Sequence, residues 1–187
     1  RQGDRHHQQQ AGTLKSIDMK LKQTHLTYGL VTGLAFVIVS ALFAVMKINL
    51  KSGLQYITYV PLLIGLILNA QAYAKANNNY VTFGNVFASC FKASLIVALL
   101  AVVWGIVSDA VFPEMKERII DAMIEEYEKK GMEGEEVDMA IEMTRKYWLM
   151  GVIFGGFFWT LIVGTVGSLI AAAIPQKKGA MPEHMQA

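Results

Sequence analysis

The feature that most restricts the fold is the placement of charge. The sequence holds 17 Lys+Arg and 15 Asp+Glu in 187 residues. Yet four windows, 26–46, 54–74, 83–111 and 148–174, contain only Lys92 and Asp109 between them. Each is long enough to cross a bilayer core, which takes roughly 20 apolar residues. In hydrocarbon a spanning segment must satisfy its own backbone N–H and C=O groups, so uncharged blocks of this length read as helices. The expected fold is all-α: a polytopic membrane protein with four transmembrane helices and an extramembrane helical hairpin between spans three and four. This pattern excludes a disordered chain and an ordinary soluble enzyme. A formal net charge of +2 offers little attraction for a polyanion, so no nucleic acid is expected as a partner.

The segments between the windows set the domain boundaries. Residues 1–25 read as a polar N-terminal tail, expected to be disordered, with His6 and His7 inside it. The stretch has no evident cleavable signal, so Leu26–Met46 is expected to be a retained first span. The start at Arg1 rather than Met suggests a trimmed N-terminus. Residues 26–178 form the expected membrane domain, and 179–187 a C-terminal tail. The short connection from Lys47 to Gly53 makes spans one and two antiparallel neighbours. Tyr56 and Tyr59 open span two at the level where amphipathic rings prefer to sit. Pro61 is expected to kink that helix early. The run Asn77-Asn78-Asn79 suits a left-handed turn, and Thr82 suits the N-cap of span three. Phe83, Phe87 and Phe91 recur every four residues as a packing or interfacial stripe.

Segment 113–147 breaks the pattern, with eleven acidic and six basic residues. Pro113 opens it, and Glu114/Arg118, Glu125/Lys129 and Glu126/Lys130 are i,i+4 pairs in the favourable order. Gly131 and Gly134 punctuate a turn. A second helix then begins at Glu135 and is expected to run unbroken into span four, standing on the order of 25 Å out of the membrane. Met115, Ile119, Met123 and Tyr127 repeat at helical spacing on the first arm. They are the candidate partner surface. They are also the side chains expected to close against Val137, Ile141 and Thr144.

Basic residues divide almost evenly between the two sides of the membrane. The first 25 residues, however, carry five basic against two acidic residues, while the hairpin is acidic overall. Both termini are therefore expected to be cytoplasmic, with hairpin 113–147 periplasmic, in a bacterial inner (cytoplasmic) membrane.

Few residues carry chemistry. Cys90 is alone in an apolar window, and the four His lie at 6, 7, 25 and 184. P-loop, HExxH, CxxC and GxSxG signatures are all missing. No catalytic residues, metal ligands or cofactor are therefore expected, and the chain is not expected to be an enzyme. Asp109 and Asn69 are the candidate intramembrane polar residues. Asp109 lies close enough to Pro113 to be an interfacial anchor or hairpin cap, with a proton or ion site as the competing reading. Asn69 is expected to bond a neighbouring helix rather than a substrate. The strongest pattern is a small-residue ridge on span four: Gly156, Thr160, Gly164 and Ser168, with Gly151 and Gly155 beside it. Small residues let helices approach closely where lipid removes the hydrophobic drive. Gly29 and Gly33 on span one, and Ala101 and Gly105 on span three, are candidate complements. The ridge can pack inside the bundle or against another subunit.

The order of landmarks resembles a known family. Tyr28-Gly29-Leu30 and Gly33 open span one. Asn79-Tyr80-Val81-Thr82-Phe83-Gly84 precedes Phe91-Lys92, and Pro113-Glu114 opens the hairpin. Gly131-Met132 and Glu135-Glu136 mark its turn, and Ser168-Leu169-Ile170 leads to Lys177-Lys178. This is similar to the four-span inner-membrane family of Bacteroidetes known as a domain of unknown function, number four-one-nine-nine in that series. The resemblance runs over about 23–178 and implies membrane location, fold and bacterial origin. Members often carry an acid where this chain has Asn85, so the carboxylate of a capping box is absent here. The resemblance brings no activity with it.

Two functions remain open. One is a non-catalytic subunit, scaffold or assembly factor acting through helix packing and its hairpin. Its partners would be the lipid bilayer and other membrane-protein subunits or a second copy. The other is a small oligomeric transporter or channel using Asp109 and Asn69.

Overall fold

A computed structural model of the chain describes residues 22–46, 53–132 and 134–179. The expected tail through residue 21, with His6 and His7, lies outside the described residues, as do 47–52 and 180–187. The described elements are α1 (His25–Val45), a 3₁₀ segment Leu54–Tyr59, α2 (Val60–Ala76), α3 (Phe83–Val111), α4 (Pro113–Lys129), α5 (Glu135–Lys146) and α6 (Trp148–Ala173). No strand occurs among the described residues. Four helices are long and apolar enough to cross a membrane: His25–Val45, Tyr56–Ala76, Phe83–Val111 and Trp148–Ala173. The protein is an all-α polytopic membrane protein, with α4 and α5 as a charged excursion between spans three and four.

Unlike a water-soluble bundle, the spans carry large apolar side chains on their outer faces. Leu30, Val31, Leu34 and Ile38 on α1 are exposed, as are Ile162, Val166 and Ile170 on α6. The interior combines Leu62, Leu66, Val86 and Val97 with the small residues Gly29, Gly33, Ser89, Ala93, Ser94, Gly164 and Ser168. In lipid, helices gain little by hiding large apolar side chains from one another, and they gain contact by bringing small residues together. Helix α3 lies at the centre and packs most extensively against α6 and α1.

The local sequence accounts for most of the helix ends. Asn78 and Asn79 adopt φ of 52° and 63°, the left-handed turn that short polar side chains tolerate. Thr82 caps α3 through a reciprocal box. Its Oγ1 accepts from the Asn85 backbone N–H at 3.2 Å, and its own N–H donates to Asn85 Oδ1 at 3.0 Å. The amide of Asn85 thus takes the place of the absent carboxylate, because the box needs an acceptor at that position and not a charge. At the same end of the bundle, Lys177 Nζ donates to the carbonyls of Ala172, Ala173 and Pro175 at 2.9, 3.3 and 2.7 Å. It caps the negative end of α6.

Two expectations about helix continuity are corrected. Pro61 does not fall in the interior of a regular helix. That span enters as the 3₁₀ segment and becomes α-helical at Val60, so Pro61 sits in the first helical turn, where its missing N–H has no role. Nor does the second hairpin arm run unbroken into span four. Tyr147 leaves helical geometry at φ −105° and ψ 17°, and Gly151–Gly155 form a π-helical turn within α6. The Gly151 N–H still bonds the Tyr147 carbonyl at 2.9 Å, so the two helices stay linked across the irregularity. Glycines at both ends of the π turn ease the departure from regular geometry.

Candidate functional site

The bundle has two unlike halves. The half nearer the termini is closely packed. Asn69 on α2 is fully buried there. Its Oδ1 accepts from Thr24 Oγ1 at 2.7 Å, and its Nδ2 donates to Ser89 Oγ at 3.3 Å and to Cys90 Sγ at 3.6 Å. Three chain segments, the start of α1, α2 and α3, therefore meet on one amide. Asn77 extends the tie: its Oδ1 accepts from the Lys22 N–H at 2.9 Å, and its Nδ2 donates to the Tyr73 carbonyl at 2.8 Å. The Ser168 hydroxyl in this half is buried with no hydrogen-bond partner among the described residues.

Small residues close the same half. A Cβ on Gly164 would stand 2.6 Å from Ser94 Cβ, and one on Gly167 would stand 2.8 Å from Leu63. Gly65 faces Thr32 so closely that no side chain fits. Gly29 and Gly33 do not complement span four as expected. They receive Ile96 and Leu100 of α3. Thr160, Gly164 and Ser168 of the ridge are buried in the bundle, together with Gly167, Ala171 and Ala172. Gly151, Gly155 and Gly156 are not packed: a Cβ on any of them meets nothing within 4 Å. The ridge is continuous in sequence, but only its half nearer the termini meets another helix. Gly105 still touches α6, where its Cβ would lie 2.8 Å from Val152.

A half-open cavity of about 480 Å³ lies in the half nearer the hairpin, between α1, the entry of span two, α3 and α6. Its walls come from α1 (Phe36, Phe43), the 3₁₀ segment (Tyr56, Tyr59), α3 (Ala101, Trp104, Gly105) and α6 (Val152, Gly156, Trp159). Met115 and Arg118 of α4 line its hairpin end, and Arg118 is the one charged residue among the described lining. The hydroxyls along it are partly spent: Ser108 donates to the Gly105 carbonyl at 3.0 Å, and Tyr59 shares a hydrogen bond with Thr160. Phe36 and Tyr59 rings meet at 5.6 Å across one corner.

The hairpin is held over this end by polar ties. Trp148 Nε1 donates to Asp109 Oδ1 at 2.6 Å, joining the end of α3 to the start of α6, and Lys116 Nζ stands 5.9 Å from the Trp148 ring. Arg145 on α5 grips Glu117 on α4 with two bonds, Nη1 to Oε1 at 2.8 Å and Nη2 to Oε2 at 2.7 Å. That fork holds the Glu117 carboxyl below its usual range. Ile120 and Val137 are the buried apolar side chains of the hairpin. Met115, Ile119, Met123 and Tyr127, the expected partner face, are half-buried. The methionines that stand out are on the other arm: Met139 is 67% exposed and Met143 54%. Sequence spacing did not separate the two arms, because both are amphipathic and Met-rich.

No cluster of three or more His, Cys, Asp or Glu able to hold a metal forms among the described residues. Asn69 and Asp109 do not line the cavity. The cavity itself was not legible beforehand. Its lining comes from five elements, and the only hint was the aromatic content of the span ends.

Fold and geometry together define a four-span helical membrane protein with a capped, half-open bundle. The chain belongs to the family described as Protein of unknown function (DUF4199), which it matches over residues 27–177. No curated protein and no solved structure matches it.

Proposed function

We propose that the protein is a non-catalytic subunit, scaffold or assembly factor of a bacterial inner membrane, acting through helix packing and its charged hairpin. Both termini lie in the cytoplasm and hairpin 113–147 in the periplasm. The observation that carries this reading is the outer face of α5 and the start of α6. Met139, Met143, Tyr147 and Met150 are exposed there, on a hairpin fixed to the bundle by the Glu117–Arg145 and Asp109–Trp148 bonds. Methionine surfaces adapt to the shape of a partner, and a fixed base lowers the ordering cost of docking. Asn69 and Asp109 spend polar atoms on bonds between elements, which favours this reading over transport or conduction through them.

The test is crosslinking in intact membranes followed by native purification. A membrane-protein partner, or a second copy, should co-purify and be lost from a Met139→Glu/Met143→Glu variant of unchanged thermal stability. Recovery of the wild-type chain alone and monomeric counts against the reading. Liposome flux abolished by Asp109→Asn would favour the transport alternative. A reporter fused after Ala187 that is active only in the periplasm overturns the orientation.

A further inference from the structure

We infer that the hairpin-side cavity is a binding site for a long-chain fatty acid drawn from the membrane, its acyl chain between the spans and its carboxylate on Arg118. The inference goes beyond the scaffold reading and does not depend on it. The cavity is bounded by all four spans and reaches α4, so its body lies at acyl-chain depth and its charged end lies at the hairpin. Hydrocarbon is the solvent at that depth, and a half-open apolar cavity there admits a chain more readily than water, which needs two to four polar partners.

The lining argues for the same occupant. Phe36, Phe43, Trp104, Trp159 and Val152 offer broad apolar contact. Ser108 already donates to the Gly105 carbonyl and Tyr59 is bonded to Thr160, so part of the hydroxyl lining is engaged within the bundle. The volume of about 480 Å³ falls within the range of small-ligand sites. That range is roughly 300–1,000 Å³, and the lower part of it suits one chain better than a two-chain lipid. The charged group is a guanidinium, whose planar fork matches the two oxygens of a carboxylate. Among the described lining, a mostly apolar cavity with one guanidinium at its end is complementary to a single-chain anion. Gly156 also fits this role. It lines the cavity, and a Cβ there would meet nothing within 4 Å, so no packing demand explains the open space beside it.

The protein carries its own reporter, since Trp104 and Trp159 line the cavity. The full chain is placed in nanodiscs of zwitterionic phosphatidylcholine at about pH 9, well above the usual carboxylate range. Dibromostearic acid is then titrated in, its bromines quenching nearby tryptophan. Dibromostearyl alcohol is the neutral control. The expected result is saturable quenching by the acid. Gly156→Phe, which fills the cavity, should remove it; Ser40→Leu serves as a second filler if that variant does not fold. Arg118→Gln should weaken the acid about tenfold and leave the alcohol unchanged. Quenching that never saturates and is equal in both filled variants overturns the site. Acid and alcohol binding alike, with Arg118→Gln affecting neither, overturns the carboxylate's place on Arg118.

Discussion

Replacing Asn69 by Leu removes three hydrogen bonds at once and leaves Thr24, Ser89 and Cys90 without their shared partner. Interhelical bonds in membranes average about 0.6 kcal/mol and reach about 1.7, because the unfolded chain in lipid also finds partners. Asn69→Leu should therefore destabilise the bundle by about 1–2 kcal/mol. A denaturing-detergent titration read by helix content checks this, and an unchanged midpoint would show the network to be idle. A polar residue in an uncharged block was visible in the sequence. Its partners were not: Thr24 and Ser89 lie 45 and 20 positions away, and no local pattern links them. Thr24 precedes α1 yet makes no side-chain cap bond there; its hydroxyl goes to Asn69 instead. The Thr82 cap, by contrast, was readable, because its partner Asn85 is three residues along the same chain.

Along α6 the small residues divide into two groups that the sequence spacing does not distinguish. Gly164→Ile drives a side chain into Ser94 of α3 and should cost about 1–3 kcal/mol, as overpacked interiors do. Gly151→Ile meets nothing and should leave the same detergent midpoint unchanged. Equal losses from both would mean that the two halves of α6 are packed alike. The hairpin allows a pH test. Hydrogen bonding to Arg145 lowers the folded pKa of Glu117 below its unfolded value. The stabilising effect of that pair is thus present above the usual glutamate range and is lost as pH falls through the lowered folded value. Spin labels at Asp121 and Glu142 should report a narrow distance between α4 and α5 at neutral pH, broadening only as pH falls below the ordinary glutamate range. Glu117→Gln should broaden it at every pH. Both arms of this hairpin were legible as helices from charge spacing and turn glycines. The turn at Tyr147 was not, because no proline or glycine marks it.

At the scale of the whole molecule, the closed half and the open half should differ in chemical access. Cys90 is buried among α2 and α3 side chains and should resist a small membrane-permeant maleimide until the protein is unfolded. Ser40→Cys and Ser108→Cys, on the cavity wall, should label in the folded state. Fast labelling of Cys90 in the native protein would mean that the bundle is open throughout. The four spans, their approximate ends and the charged excursion were all determined by the sequence alone. Their physical cause is local and strong: a buried charge or an unpaired backbone group in hydrocarbon is so costly that uncharged blocks of this length must be spanning helices. Beyond the neighbouring spans one and two, the packing of the helices followed only from tertiary structure. Which glycine received Leu100, which part of the ridge stayed empty and where a cavity opened among the spans depended on relative rotations and crossing angles of the spans. In lipid those angles are chosen by small differences in van der Waals fit between residues far apart in the chain, and no periodicity along one helix records them.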